Sequence, residues 1–126
     1  MNRTQQLVLV VEDFEDNRFM LRKLLEMAGY QVIEATDGEQ AILQAEQQQP
    51  ALILMDLSLP RLDGLAATRQ IRQRAGLSGI PIIAVSAHDS TDFHSEALAA
   101  GCNEYVSKPI DFEQLDVLIK RNLPEK

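Results

Sequence analysis

The feature that most constrains this chain is an alternation of two periodicities. Five times, a short run rich in β-branched, aliphatic or aromatic residues is followed by a helix-length amphipathic segment. Those runs are Leu7 to Val11, Gln31 to Ala35, Leu52 to Met55, Ile82 to Val85 and Glu104 to Ser107. Strands separated by helices favour βαβ units and a parallel sheet. The first helix is expected from about Glu15 to Ala28, with Phe14, Met20, Leu21, Leu24, Leu25 and Ala28 at helical spacing and Gly29 as its stop. Asp37 and Gly38 lead into a second helix, Glu39 to Gln48, which ends before Pro50. A loop holding Pro60 and Gly64 precedes a third, Leu65 to Arg74. Ser90 to Asp92 reads as the start of the fourth and Gly101 as its stop, with Ala97, Leu98 and Ala100 packing inward. Asp111 caps the last, whose Phe112, Leu115, Leu118 and Ile119 mark one face.

Leu52 to Met55 is apolar at every position, as a central strand covered on both faces requires. Right-handed crossovers then give an α/β fold: a doubly wound five-stranded parallel sheet in the order 2-1-3-4-5, a flavodoxin-like (βα)5 arrangement. With 126 residues, 45% of them hydrophobic, the chain fits one domain over residues 1–126 with a core of about 7–123. Its apolar runs are far shorter than the ~20 residues that span a bilayer. The polar start, Met1 to Gln6, has no signal-peptide core. The reading is therefore a cytoplasmic protein without a membrane association. Cys102 is the only cysteine, which excludes an internal disulfide and suits a small buried residue. A formal charge of −7 argues against direct nucleic-acid binding, which calls for a basic patch.

In a parallel sheet every carboxyl end emerges along one edge. Glu12 and Asp13 follow strand one, Asp56 strand three, Ser86 strand four and Lys108 strand five. Strands one and three lie about 4.8 Å apart when adjacent, so three carboxylates crowd the crevice where the strand order reverses, the expected ligand position. Like charges there raise one another's pKa unless a cation intervenes. Mg²⁺ answers this inventory: it takes oxygen ligands and is held by one or two carboxylates plus phosphate oxygens. Lys108 brings a compact positive charge, and the Ser86 hydroxyl can donate to an added oxyanion. Each residue also has a plainer account: Asp13 as a helix cap, Asp56 as a turn former, Glu12 and Lys108 as solvated surface, Ser86 as a strand end. Their coincidence at one sheet edge is what points to phosphate on a carboxylate.

The residues resemble the response-regulator receiver family from Leu7 to about Leu123. The match runs through Val10-Val11-Glu12-Asp13, Leu52-Ile53-Leu54-Met55-Asp56 with Pro60 and Asp63-Gly64, Val85-Ser86-Ala87 and Ser107-Lys108-Pro109. The turns Asp37-Gly38 and Ala100-Gly101 add to it. The resemblance implies that Asp56 is the phosphoacceptor, with Glu12, Asp13, Asp56 and the backbone carbonyl of Ser58 binding Mg²⁺. It further implies that Lys108 pairs with the phosphoryl group, that Ser86 and Tyr105 switch together, and that the Lys108–Pro109 bond is cis. Ser58 and His88 occupy the two positions that tune the phosphoryl lifetime. The donor would be a sensor histidine kinase or a histidine phosphotransfer protein. Output would pass through the surface of the fourth helix, fifth strand and fifth helix to a partner the sequence does not name. Such a module catalyses its own phosphorylation and dephosphorylation and is not a metabolic enzyme. Met1 close to the first strand and a short tail after Leu123 suit a free-standing receiver rather than a piece of a hybrid kinase.

Three other readings share features with this one. Phosphatases and mutases with an aspartyl nucleophile usually carry a second Asp two residues on, where this chain has Ser58. A flavin carrier of the same sheet order needs a phosphate-cradling loop after strand one, where Glu12, Asp13, Glu15 and Asp16 would repel phosphate. A receiver that works without phosphorylation would not need the full set of groups present here.

Overall fold

The computed structural model describes residues 6–57, 63–87 and 91–123, apart from the side chains of 91–93. Its elements alternate strictly: β1 (Leu7–Val11), α1 (Glu15–Met27), β2 (Gln31–Ala35), α2 (Gly38–Gln48), β3 (Leu52–Asp56), α3 (Gly64–Arg72), β4 (Ile82–Ser86), α4 (Thr91–Ala100), β5 (Glu104–Ser107) and α5 (Phe112–Asn122). The strands form one parallel sheet in the order β2-β1-β3-β4-β5. This is the expected doubly wound architecture. Two of its strands run one residue further than the apolar pattern suggested, so Asp56 and Ser86 close β3 and β4 instead of following them.

Alternate side chains of each strand feed two cores, one on each face of the sheet. Leu9, Val11, Ile53, Met55, Ile82 and Ala84 pack with α2, α3 and α4. Val8, Val10, Leu52, Leu54, Ile83 and Val106 pack with α1 and α5. The strand order makes β3, buried at all five positions, the central strand.

Several helix ends follow the chemistry expected of them. The Asp37, Asp63 and Asp111 side chains accept backbone N–H bonds at the starts of α2, α3 and α5. Gly29 turns the chain after α1 at φ +102°, a conformation costly for any residue with a Cβ. Asp13 is not a cap: the residue flanking α1 is Phe14, which makes no side-chain cap bond.

Several apolar residues expected to face inward from α1 and α4 are exposed. Phe14 is 57% exposed, Met20 46% and Leu98 55%, and Ala28 is exposed as well. The cause is angular. Leu21 and Leu25 are buried one turn apart on α1, and Met20, one residue from Leu21, points about 100° away. Leu98 stands in the same relation to buried Ala97. Ser90 and Pro60, expected at a helix start and in a loop, lie outside the described residues. Among the described residues, no helix is long and apolar enough to cross a membrane.

Candidate functional site

The carboxyl edge of the sheet gathers Glu12, Asp13, Asp56, Ser86 and Lys108. Glu12 and Asp56 are 2% and 3% exposed, although neither is an apolar residue. Backbone bonds hold them there. Glu12 N–H donates to Ala35 O at 3.1 Å, carrying the β1–β2 ladder one step past the strand. Leu57 N–H donates to Val85 O at 3.0 Å, which extends β3 beyond Asp56. Lys108 N–H donates to Ser86 O at 2.8 Å, so the ammonium and the buried hydroxyl of Ser86 come from adjoining strand ends. The peptide bond that follows, Lys108–Pro109, is cis.

A carboxylate oxygen from each of Glu12, Asp13 and Asp56 can be chosen so that all three lie within 4.8 Å of one another. Lys108 Nζ stands 3.2 Å from Asp56 Oδ2 and 3.3 Å from Glu12 Oε1. Burial pushes the Glu12 carboxyl above its ordinary 4.5, and the charge of Asp56 adds to the rise. The N–H of Phe14, which donates to Glu12 Oε2 at 3.1 Å, and Lys108 counter it only in part. For Lys108, burial acts downward, but the charges of Asp56 and Glu12 and their hydrogen bonds outweigh it and lift the ammonium above its ordinary 10.5. Among the described residues, one ammonium pairs with two of the three clustered acids. Such a cluster suits a hard divalent cation with oxygen ligands.

Two positioning residues escape a reading by residue type alone. A Cβ on Gly64 would lie 2.3 Å from the Asp56 carbonyl oxygen and 2.6 Å from Leu57 Cα, so the first turn of α3 rests directly on the backbone that carries Asp56. The available signal was a glycine at the first helical position behind a capping Asp63, where a better helix former would be expected. Arg18, on α1, donates to the Glu12 carbonyl at 3.1 Å and to Glu34 Oε1 at 3.1 Å. An arginine on an amphipathic helix gives no warning of that. Tyr105 lies half-buried on β5 against the core beneath α4. Ser58 and His88 lie outside the described residues. Cys102 is buried, with burial raising its thiol pKa, in keeping with an inert packing residue.

A parallel sheet in this order with buried acids and a lysine at its carboxyl edge defines a doubly wound domain whose cleft suits a divalent cation, and comparison with known proteins sharpens that class. The sequence profile of the response regulator receiver domain matches residues 8–120. The polar-differentiation response regulator DivK of Brucella anthropi is 37% identical over 116 residues, which is 92% of this chain and 94% of that protein. The receiver domain of a Pseudomonas aeruginosa sensor histidine kinase is 39% identical with a TM-score of 0.86, covering 92% of this chain and 95% of that one. That domain was solved with a magnesium ion coordinated in its active-site cleft. A chemotaxis response regulator of Vibrio cholerae is 28% identical with a TM-score of 0.89, covering 94% and 99% of the two chains. The chain belongs to the response regulator receiver domain family, whose members take phosphoryl groups from histidine kinases and regulate downstream partners.

Proposed function

We propose that this domain accepts a phosphoryl group on Asp56 from a histidine kinase or a histidine phosphotransfer protein, with Mg²⁺ bound beside it, and signals through the surface of α4, β5 and α5. The observation that carries the reading is the placement of Lys108 Nζ within 3.3 Å of both buried carboxylates, Glu12 and Asp56, in a cluster that also holds Asp13. Glu12, Asp13, Asp56 and the carbonyl of Ser58 would hold the cation, which when bound neutralises charge on the phosphoryl oxygens. Asp56 Oδ attacks phosphorus in line; the O–P bond forms as the P–N bond to the donor histidine breaks, and the imidazole leaves with that electron pair. Lys108 moves its hydrogen bond from the carboxylate to the transferred oxygens.

The acyl phosphate then recruits the Ser86 hydroxyl as a donor, and Tyr105 turns into the space that this movement opens. Driving a two-state surface from 1:99 to 99:1 takes about 5.5 kcal/mol of differential stabilisation. One charge-assisted hydrogen bond contributes about 1.5–3 kcal/mol, so Ser86, Lys108 and the cation must act together. Ser58 and His88 are assigned to tuning the lifetime of the phosphoryl group. Mg²⁺-dependent labelling with acetyl phosphate, followed by peptide mapping, tests the assignment. Wild type should carry the label on Asp56, and Asp56→Asn should carry none; stable label in that variant refutes the acceptor.

A further inference from the structure

The described side chains that α4 buries are small. Among its described side chains, the buried ones are Ala97 and Ala100. Among the described side chains, a broader contact is made by His94, half-buried in the first half of the helix. Its imidazole lies on the Tyr105 phenol ring with centroids 3.7 Å apart and planes inclined by 31°. This is a face contact between two flat rings, one carried by α4 and the other by β5.

The strand register puts that pair in line with the site. Ala84 is opposite Tyr105 and Ser86 opposite Ser107. Side chains two apart on a strand share a face, so Ser86 points to the same side of the sheet as Ala84, whose side chain belongs to the core that Tyr105 packs against. The Ser86 hydroxyl, the Tyr105 ring and the His94 ring therefore follow one another on the α4 side, from the carboxyl edge outward.

We infer that His94 is the residue through which α4 senses Tyr105: while the rings are stacked, α4 is held to the position of the phenol, and a turn of Tyr105 towards Ser86 breaks the stack and releases the helix. The inference rests on the reading of Tyr105 as the switching aromatic. His94 is a positioning residue here, acting through Tyr105 and not on the phosphoryl group. A flat ring is what the contact requires, so Phe should replace His and Ala should not.

The test follows backbone-amide and tyrosine-ring NMR signals of the full chain as wild type, His94→Ala and His94→Phe, before and after labelling with acetyl phosphate and Mg²⁺. All three proteins should take the label equally. Before labelling, His94→Ala should remove the ring-current displacement of the Tyr105 protons. After labelling, the displacement of the α4 amides should fall about threefold in His94→Ala and recover in His94→Phe, as expected when a coupling contact is cut and restored. Amide displacements of wild-type size in His94→Ala, or Tyr105 signals unmoved by it, overturn the inference. Failure of wild type to take label would instead sink the acceptor assignment, and the Tyr105 signals of unlabelled His94→Ala would still decide whether the stack exists.

Discussion

The two ends of this sheet bury charge in opposite ways. At the amino end, the Arg72 guanidinium donates to Gly101 O at 2.9 Å, Ser78 O at 3.1 Å, Ile80 O at 2.7 Å and Asn103 Oδ1 at 2.8 Å. Asn103 Oδ1 also accepts from Ile82 N–H at 2.8 Å. One cation thus ties the end of α3 to the approaches of β4 and β5. At the carboxyl end, among the described residues, three carboxylates cluster and one ammonium pairs with two of them. A charge with four of its five donors bonded supports the fold, whereas clustered acids that outnumber their described cation are suited to a ligand. Each end also has a glycine in close contact. A Cβ on Gly101 would meet the flexible stem of Arg72 at 2.6 Å, and one on Gly64 would meet the rigid backbone of Asp56 at 2.3 Å.

The sharpest way to break this comparison is at Gly64. No side-chain movement relieves a clash with a backbone carbonyl, so Gly64→Ala should cost about 3 kcal/mol or more, the upper range for overpacking. Part of that strain must fall on Asp56. The variant should lose both urea resistance and most of its acetyl phosphate labelling. A stable, fully labelled Gly64→Ala would show that α3 can step back without disturbing the acceptor.

Next in size is Arg72→Met, which keeps the apolar stem and removes the donors. A buried acceptor left without a partner costs about 1–3 kcal/mol; the Gly101 and Ile80 carbonyls are part-buried and the Ser78 and Asn103 acceptors can be rehydrated, so a loss of about 2 kcal/mol in urea unfolding is expected. Labelling per folded molecule should be unchanged, because the guanidinium bonds to the edge of the sheet away from Asp56. Reduced labelling of the folded variant would mean that the two ends are coupled and that their contrast is false.

The order of strands and helices was readable in the sequence because each depends on local pattern: the apolar run Leu52 to Met55 in β3, Asp caps, Gly29 after α1. The acids were readable because parallel topology alone brings strand ends together. What the sequence hid depends on three-dimensional fit. Met20 and Leu98 are apolar yet exposed, since each points about 100° away from the buried neighbour, Leu21 or Ala97, that reaches the core. Arg72 looks like an ordinary helix-end cation until α3, β4 and β5 surround it. The 2.3 Å approach at Gly64 and the ring stack of His94 on Tyr105 are distances between elements, which no spacing within one segment encodes.

The smallest and most diagnostic effect concerns Glu12→Gln without metal. The folded protein raises the Glu12 pKa above its ordinary 4.5, so as pH increases the unfolded chain gives up this proton first. Glu12 therefore favours the folded state below 4.5, and that contribution is lost as pH rises from 4.5 through the folded value. Glu12→Gln should remove this slope from the pH dependence of urea unfolding. Gln can still accept the Phe14 N–H, so at neutral pH without Mg²⁺ the variant should be at least as stable as wild type. Adding Mg²⁺ should reverse the order: a ligand at a hundredfold above its Kd stabilises by about 2.7 kcal/mol, and the variant, having lost a ligand, should gain much less. A metal-free Glu12→Gln that is weaker than wild type and keeps the same slope would mean that the pair with Lys108 outweighs the burial of Glu12. The carboxyl end would then be as well balanced in charge as the Arg72 end.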